Sequence, residues 1–269
     1  MNKTKSKISI GNLRFRPFNN LQLEEIYAAD LKNDTLLYAK ELNAHFDFFK
    51  LLRKQFVIHS VELKRFDLHV SKDSLNAPFN FQFLIDAFAS DTTQTPDSSK
   101  LQLAIDRIQL KDGRLHYDIF SEPAQNPNLF DVNHIDIRNL QFDADLHFNK
   151  TEDWSGSINN LSLNEKSGFI LKQLKFQVKD KDNKIQVDRF YISLPHSEGE
   201  IKEAALDYAG LQPNEILSGA AYSIFFTSGK WQPADFIYFY PELANYPDII
   251  TCSGEIKGKF PEISLPVLN

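Results

Sequence analysis

One pattern of apolar and polar positions returns along the 269 residues of the chain. With h for apolar and x for mostly polar it reads h-x-h-x-x-h-x-h, as in Ile8, Ile10, Leu13 and Phe15. On a helix, at about 100° per residue, these four positions would scatter around the axis. On a strand, each step of two keeps the side chain on one face, and the central step of three does so if a β-bulge or a tight turn absorbs one residue. The pattern therefore predicts bent strands with one apolar face.

The same pattern recurs at uneven intervals, which excludes a regular solenoid and predicts a meandering sheet. At about 4.8 Å between strands, the roughly 14 strands predicted are too many for an open sheet that stays flat. We therefore predict a mainly β fold, a long, curled, mostly antiparallel sheet with a few short helices. The alternative is a β-sandwich or jelly roll, in which the same apolar face is a closed core. The further copies begin at Leu21, Phe56, Leu103, Ile135, Phe169 and Ile185.

The segments between the copies predict a single elongated domain, residues 1–269, that consists of two sub-blocks joined by a loop. A polar loop at 89–100 joins sub-blocks 1–88 and 101–269, and the composition does not change beyond it. Lys111-Asp112-Gly113 is typical of a hairpin turn, because glycine accepts positive φ. Short helices are predicted at 48–54, 83–89 and 233–243.

Composition narrows the classes of function. A hydrophobic fraction of 42%, with 23 phenylalanines, predicts a folded chain that buries apolar surface. The net charge of −6 comes from intermixed acidic and basic residues, which argues against a nucleic-acid partner. Cys252 is the single cysteine, so no internal disulfide and no cysteine-based zinc site is expected. No signal peptide and no run of about 20 apolar residues for a membrane helix is visible in the sequence.

The search for chemistry predicts no catalytic residue, no metal site and no cofactor, and therefore no enzyme. The seven histidines are spread singly through alternating segments, where a solvent-side strand position explains each. Asp143 and Asp145 lie on the polar side of a predicted strand. The glycines of the segment 254–260 are spaced unlike those of a phosphate loop, and no Gly-x-Ser-x-Gly elbow is present.

Six segments resemble the AsmA-like family, and within it the N-terminal part of the TamB-like members. They are 8–15 (ISIGNLRF), 34–39 (DTLLYA), 51–52 (LL), 58–63 (IHSVEL), 107–115 (RIQLKDGRL) and 161–169 (LSLNEKSGF). The resemblance implies a taco-like repeating β-groove in the periplasm that carries phospholipid between the inner and outer membranes of a Gram-negative envelope. It also implies a membrane-anchored parent protein. This chain would then be a fragment without the N-terminal anchor in the inner membrane and without the C-terminal region that docks on an outer-membrane β-barrel partner.

The function expected on these grounds is a lipid-transfer conduit segment that shields phospholipid acyl chains. An acyl chain of about 16 carbons costs on the order of 12 kcal/mol when exposed to water, at about 0.8 kcal/mol per CH₂. The alternative is a structural β-sandwich module that assists outer-membrane protein assembly without lipid transport, and the pattern alone does not separate the two. The residues predicted to line the groove are Phe15, Leu23, Phe66, Leu68, Ile108, Leu110, Ile137, Phe142, Leu146, Phe176, Val187 and Ile192.

Overall fold

The structure, a computed structural model, describes residues 6–16, 19–47, 55–90, 100–148, 154–212, 215–259 and 262–268. The predicted mainly β fold with a long, mostly antiparallel sheet is confirmed. The sheet has 13 strands, and each strand is hydrogen-bonded to the next one in chain order. The strands are β1 (Ile8–Arg16), β2 (Asn20–Ala29), β3 (Thr35–Phe46), β4 (Gln55–Lys72), β5 (Lys100–Ile119), β6 (His134–Phe148), β7 (Trp154–Glu165), β8 (Ile170–Lys181), β9 (Lys184–Ser193), β10 (Glu198–Asp207), β11 (Ala221–Trp231), β12 (Ile250–Lys259) and β13 (Glu262–Leu268).

Helices are short in the described part of the chain, and none is long and apolar enough to cross a membrane. The helix predicted at 83–89 is confirmed as α1 (Gln82–Ser90), and a second helix, α2 (Ile216–Gly219), has only four residues. Instead of one helix at 233–243, two 3-10 helices form, at Pro233–Phe236 and Pro241–Asn245. Pro241 explains the interruption, because proline has no N–H to donate and its ring clashes with the preceding turn. The helix predicted at 48–54 lies outside the described residues.

The predicted hairpin turn at Lys111-Asp112-Gly113 is wrong. These residues lie inside β5, a strand of 20 residues that runs parallel to β4. The connection from β4 to β5 includes α1 and crosses over, so β5 enters the sheet in the same direction as β4 and needs no turn at this point. Asp112 has a left-handed φ of 54°, and Gly113 is buried beneath the ring of Phe66. The glycine therefore permits a close approach and not a chain reversal.

The two-residue gap of the apolar pattern has a distinctive backbone conformation. Three copies, those that begin at Leu21, Ile135 and Ile185, have a left-handed φ of about 50° at the second residue of the gap, which interrupts the alternation of faces and returns the next apolar residue to the same face. The same conformation occurs at Arg65 and Asp112, two residues after the last apolar residue of the copies that begin at Phe56 and Leu103. In the first strands the pairing continues in register across this point, for example from Ile26 and Ala39 to Glu24 and Glu41. No extra residue is absorbed there, contrary to the predicted bulge. These five left-handed residues are Glu25, Arg65, Asp112, Asn139 and Arg189.

Shifts of register of the predicted kind do occur between later strands. The pairing of β8 with β9 shifts between Lys175 and Gln177, and the pairing of β10 with β11 shifts around Ile201. Bulges of this type bend a strand and increase its local twist.

The chain divides into two compact units, and the boundary lies within β6. Unit 1 comprises Met1–Gln141 and Asn164–Ser167, and unit 2 comprises Phe142–Leu163 and Gly168–Asn269. The polar loop predicted at 89–100 to join the sub-blocks lies, from residue 91 to residue 99, outside the described residues. Each unit is described separately below.

The left-handed φ of 49° at the exposed Arg65 generates a first prediction. Arg65→Val is expected to lower the free energy of unfolding by about 1–2 kcal/mol, because a β-branched residue is strained in this conformation. Arg65→Gly is expected to stay within about 1 kcal/mol of the native protein. Chemical denaturation followed by circular dichroism measures both. The control is Lys40→Val on β3, an exposed position where the backbone is extended and valine suits a strand. Equal losses at positions 65 and 40 would contradict the argument.

Candidate functional site

The apolar face of unit 1 consists of rows of side chains that run across neighbouring strands. Residues paired in the sheet occupy the same level and the same face. Four such rows cross from β1 to β4, and three of them continue to β5. Apolar side chains are therefore continuous from strand to strand, along the direction of the hydrogen bonds. The rows are Leu13, Leu23, Leu42, Leu63 and Leu110; Phe15, Leu21, Ala44, Val61 and Ile108; Ile8, Ala28, Leu37, Leu68 and Leu115; and Ile10, Ile26, Ala39 and Phe66.

Most predicted lining residues of unit 1 are open to solvent in part. Phe15 is 68% exposed and Ile108 is 39% exposed. The others that are only half-buried are Leu23, Leu68, Leu110 and Ile137.

The prediction that Phe66 lines the groove is wrong. It is 3% exposed, and a Cβ atom added to Gly113 would lie 2.1 Å from its ring. Phe66 is thus packed against the backbone of β5, and it serves as a core residue and not as an accessible part of the lining.

The apolar face of unit 2 is built in the same way. One row contains Val178, Val187, Ala204, Ile224 and Ile256. Next to it, the ring of Phe176, a predicted lining residue, stacks on the ring of Phe190 with the centroids 6.1 Å apart. Of the other predicted lining residues of this unit, Leu146 is 38% exposed, and those that are half-buried are Phe142, Val187 and Ile192.

Trp231 fills a gap in the apolar face of unit 2. Ile192 pairs with Gly199, which pairs with Gly229, so two positions of this row have no side chain. The indole of Trp231 occupies that space, since a Cβ atom on either glycine would lie 2.5 Å from it. Its Nε1 donates a hydrogen bond to Cys252 Sγ at 3.3 Å. Sequence reasoning missed Trp231, because nothing in the local pattern shows that the two glycines would pair.

A β-sandwich would bury its apolar face between two sheets, but the described strands form one sheet. The closed core considered from the sequence is therefore not what the described residues form.

The opposite face of unit 1 is polar and its charges are paired across strands. Glu62 on β4 accepts hydrogen bonds from Lys111 Nζ at 2.5 Å, from Asn43 Nδ2 at 2.8 Å and from Lys64 Nζ at 3.0 Å. Lys64 also bonds Glu41 on β3, at 3.0 Å. Burial raises the pKa of Glu62, but these hydrogen bonds outweigh it and lower the pKa to about 2.

The structure also changes the prediction that the histidines are dispersed. His69 and His116 pair directly across β4 and β5, and their rings stack with centroids 4.4 Å apart. His134 Nδ1 lies 3.0 Å from Asp118 Oδ1, and its Nε2 lies 2.8 Å from the backbone oxygen of Glu122. These bonds raise the pKa of His134, with the Asp118 carboxylate as the main cause. No sequence signal showed the pairing of His69 with His116, because it depends on the parallel register of β4 and β5.

A polar pocket of about 600 Å³ in unit 2 contains an oriented histidine. His196 Nδ1 lies 2.9 Å from Asp235 Oδ1, and the Asp235 carboxylate is buried. The neighbouring hydroxyl of Ser197 accepts the backbone N–H of Gln232 at 2.8 Å and is not bonded to the His196 ring. Among the described residues that line this pocket, the nucleophile and base pairing of acyl-transfer enzymes is not formed.

The sequence was compared with known proteins. No protein-family model matches it, and no curated protein matches it. The resemblance to the AsmA-like family therefore stays a prediction that rests on the six segments quoted above.

The hydrogen bonds of Glu62 generate a second prediction. Its pKa in the folded state, about 2, lies below the usual 4.5. The stability that it contributes is therefore complete above about pH 4.5 and is lost as the pH falls towards 2. Glu62→Gln is expected to remove up to about 3 kcal/mol at neutral pH and less at pH 2. Urea denaturation from pH 7 to pH 2 measures this.

Glu242→Gln, at an exposed position of unit 2, is the control for the loss of one carboxylate. The lowered pKa of Glu62 would be contradicted if the difference in unfolding free energy between Glu62→Gln and the native protein did not change with pH.

Proposed function

We propose that this chain is a segment of a lipid-transfer conduit, in which the apolar faces of the sheet hold phospholipid acyl chains. The observation that supports the proposal is the set of apolar rows in unit 1, whose side chains are aligned across the strands and are half-buried or exposed except at Ala44, Ile26, Ala39 and Phe66. Contiguous apolar surface of this kind is rare on soluble monomers, and it marks a site for an apolar partner.

The direction of the rows suits an acyl chain. Neighbouring strands are about 4.8 Å apart, so a row of five side chains extends about 19 Å across the strands. Within the rows the side chains are aliphatic or aromatic and carry no charge, for instance from Leu13 through Leu42 to Leu110. A bound chain would meet sites of similar energy along a row and would slide among them.

The free energy of moving an acyl chain from water to the apolar rows favours lipid binding. At about 0.8 kcal/mol per CH₂, a chain of about 16 carbons that covers the rows would lose most of its cost of exposure to water, on the order of 12 kcal/mol. The face offers no group that would specify a head group and no source of energy. Direction would come from a concentration gradient or from partners.

The cellular setting belongs to the same proposal and rests on the AsmA-like resemblance. It is a periplasmic segment of a larger, membrane-anchored protein of the Gram-negative envelope, acting between an inner-membrane anchor and an outer-membrane β-barrel partner. The proposal includes no enzymatic activity.

A test of lipid contact uses the alternation of faces along β5. We expect benzoylphenylalanine at Ile108 or Leu110 to crosslink to phospholipid after irradiation. The same probe at Gln109, which occupies the opposite face between them, is expected not to crosslink. Mass spectrometry of the crosslinked protein, purified after expression in a Gram-negative host, measures this. Equal crosslinking at all three positions, or none, would contradict the proposal and would favour a structural module without lipid.

Charged substitutions distinguish residues that contact bound lipid from residues of the protein core. Ile108→Asp is expected to lose most bound phospholipid while it unfolds at nearly the native denaturant concentration, since Ile108 is 39% exposed. Phe66→Asp is expected to lose about 3 kcal/mol or more, since Phe66 is 3% exposed. Extraction of lipid and urea denaturation measure the two effects. Gln109→Asp is the control, and unfolding of Ile108→Asp to the same extent as Phe66→Asp would show that this face is a core.

A further inference from the structure

A cluster of histidine and carboxylate side chains lies on the polar face of unit 1. Asp67 and His69 are two residues apart on β4, and His116 lies beside His69 on the parallel strand β5. Asp67 Oδ1 is 3.1 Å from His69 Nε2 and 3.2 Å from His116 Nε2. On β6, Asp136 Oδ1 is 3.8 Å from the other ring nitrogen of His116, Nδ1. Two histidines and two carboxylates thus meet at one place.

Hydrogen bonds do not account for these short distances. Asp67 Oδ1 and Asp136 Oδ1 are both buried, and neither has a hydrogen-bond partner. The two Nε2 atoms lie near Asp67 Oδ1, but neither forms a hydrogen bond with it. Buried carboxylate oxygens without a donor are costly and call for a cation.

The spacing of the donor atoms suits a divalent transition metal. Ligand atoms at 2.0–2.1 Å from a tetrahedral zinc ion are about 3.3 Å from one another, close to the separations of Asp67 Oδ1 from the two imidazoles. One atom from each of Asp67, His69 and His116 lies within 4.8 Å of the others. The rings of His69 and His116 are stacked at 19°, so one must turn before both lone pairs reach a shared ion. His69, with 41% of its side chain exposed, has room to turn.

Asp136 is placed to support such a site. Histidine ligands of metals ordinarily donate their second ring N–H to a carboxylate or a backbone oxygen, which sets the tautomer. Asp136 Oδ2 accepts a hydrogen bond from Arg138 at 3.1 Å, which leaves Oδ1 directed towards His116 Nδ1. Arg114, which pairs with Asp67 in register, is the other cation on this part of the face.

We propose that Asp67, His69 and His116 form a binding site for one divalent transition-metal ion of the zinc class, with Asp136 as the positioning residue for His116. The ion would join β4 to β5 and would leave one coordination position for water or for an external ligand. The site lies on the face opposite the apolar rows, so it does not depend on the proposed lipid function.

The experiment uses the full chain without a histidine tag, after removal of metals with a chelator. Calorimetric titration with ZnCl₂ is expected to give one ion per chain, and CoCl₂ is expected to give a visible absorption band of a tetrahedral site. His69→Ala and His116→Ala are each expected to weaken zinc binding at least tenfold, and Asp136→Asn to weaken it 10- to 100-fold. His59→Ala is the matched control, because His59 is also on β4 and also faces a carboxylate, that of Asp106 at 3.1 Å.

Other results would overturn the proposal. They are the absence of zinc binding to the native chain, equal affinity in the native chain and the His69→Ala and His116→Ala variants, or an equal loss in His59→Ala, which would indicate adventitious binding to surface histidines. Circular dichroism establishes that each variant is folded. His69→Gln, which keeps the size of the side chain but is a poor metal ligand, replaces any alanine variant that does not fold, and it is expected to show the same loss.

Discussion

The structure depends on a backbone conformation that keeps apolar side chains on one face of long strands. If side chains alternated strictly along a strand, the last two apolar residues of each copy of the pattern would lie on the face opposite the first two. A left-handed residue in the middle of the pattern prevents this, as Arg65 does on β4 and Asn139 does on β6. The strain at these residues, of the order of 1–2 kcal/mol each, is offset because the apolar residues on both sides remain together.

The alignment of these residues across strands explains why the two faces are so distinct. In unit 1 the pairing from Ile10 and Ile26 to Ala39 and Phe66 stays in register, so the left-handed residues of β2, β4 and β5 fall at the same level of the sheet. One face then carries only apolar rows. The other collects the charged groups, which approach each other closely enough to form the Glu62 cluster and the group of His69 and His116.

The two faces of the sheet in unit 1 differ in whether their side chains have partners within the protein. On the polar face, the charge of Glu62 is compensated by hydrogen bonds from neighbouring strands. The apolar face has no such internal partner where it is exposed, at Phe15 and Ile108 for instance, and it is an aggregation hazard unless something covers it. A lipid acyl chain is the ligand whose chemistry fits that face best, since it needs no specific polar contact.

The sequence by itself determined the class of fold, because the repeated apolar spacing is incompatible with a helix and is satisfied by strands with one apolar face. It also assigned residues such as Leu23 and Ile192 to the apolar face, since which face a side chain takes is a local property of a strand. Only the tertiary structure decided which residues on different strands meet. The parallel register of β4 and β5 placed Phe66 over Gly113, where a hairpin turn was predicted, and it brought His116 to His69 across 47 positions of the chain. Such pairs depend on the path of the crossover connection, which no local pattern of residues encodes.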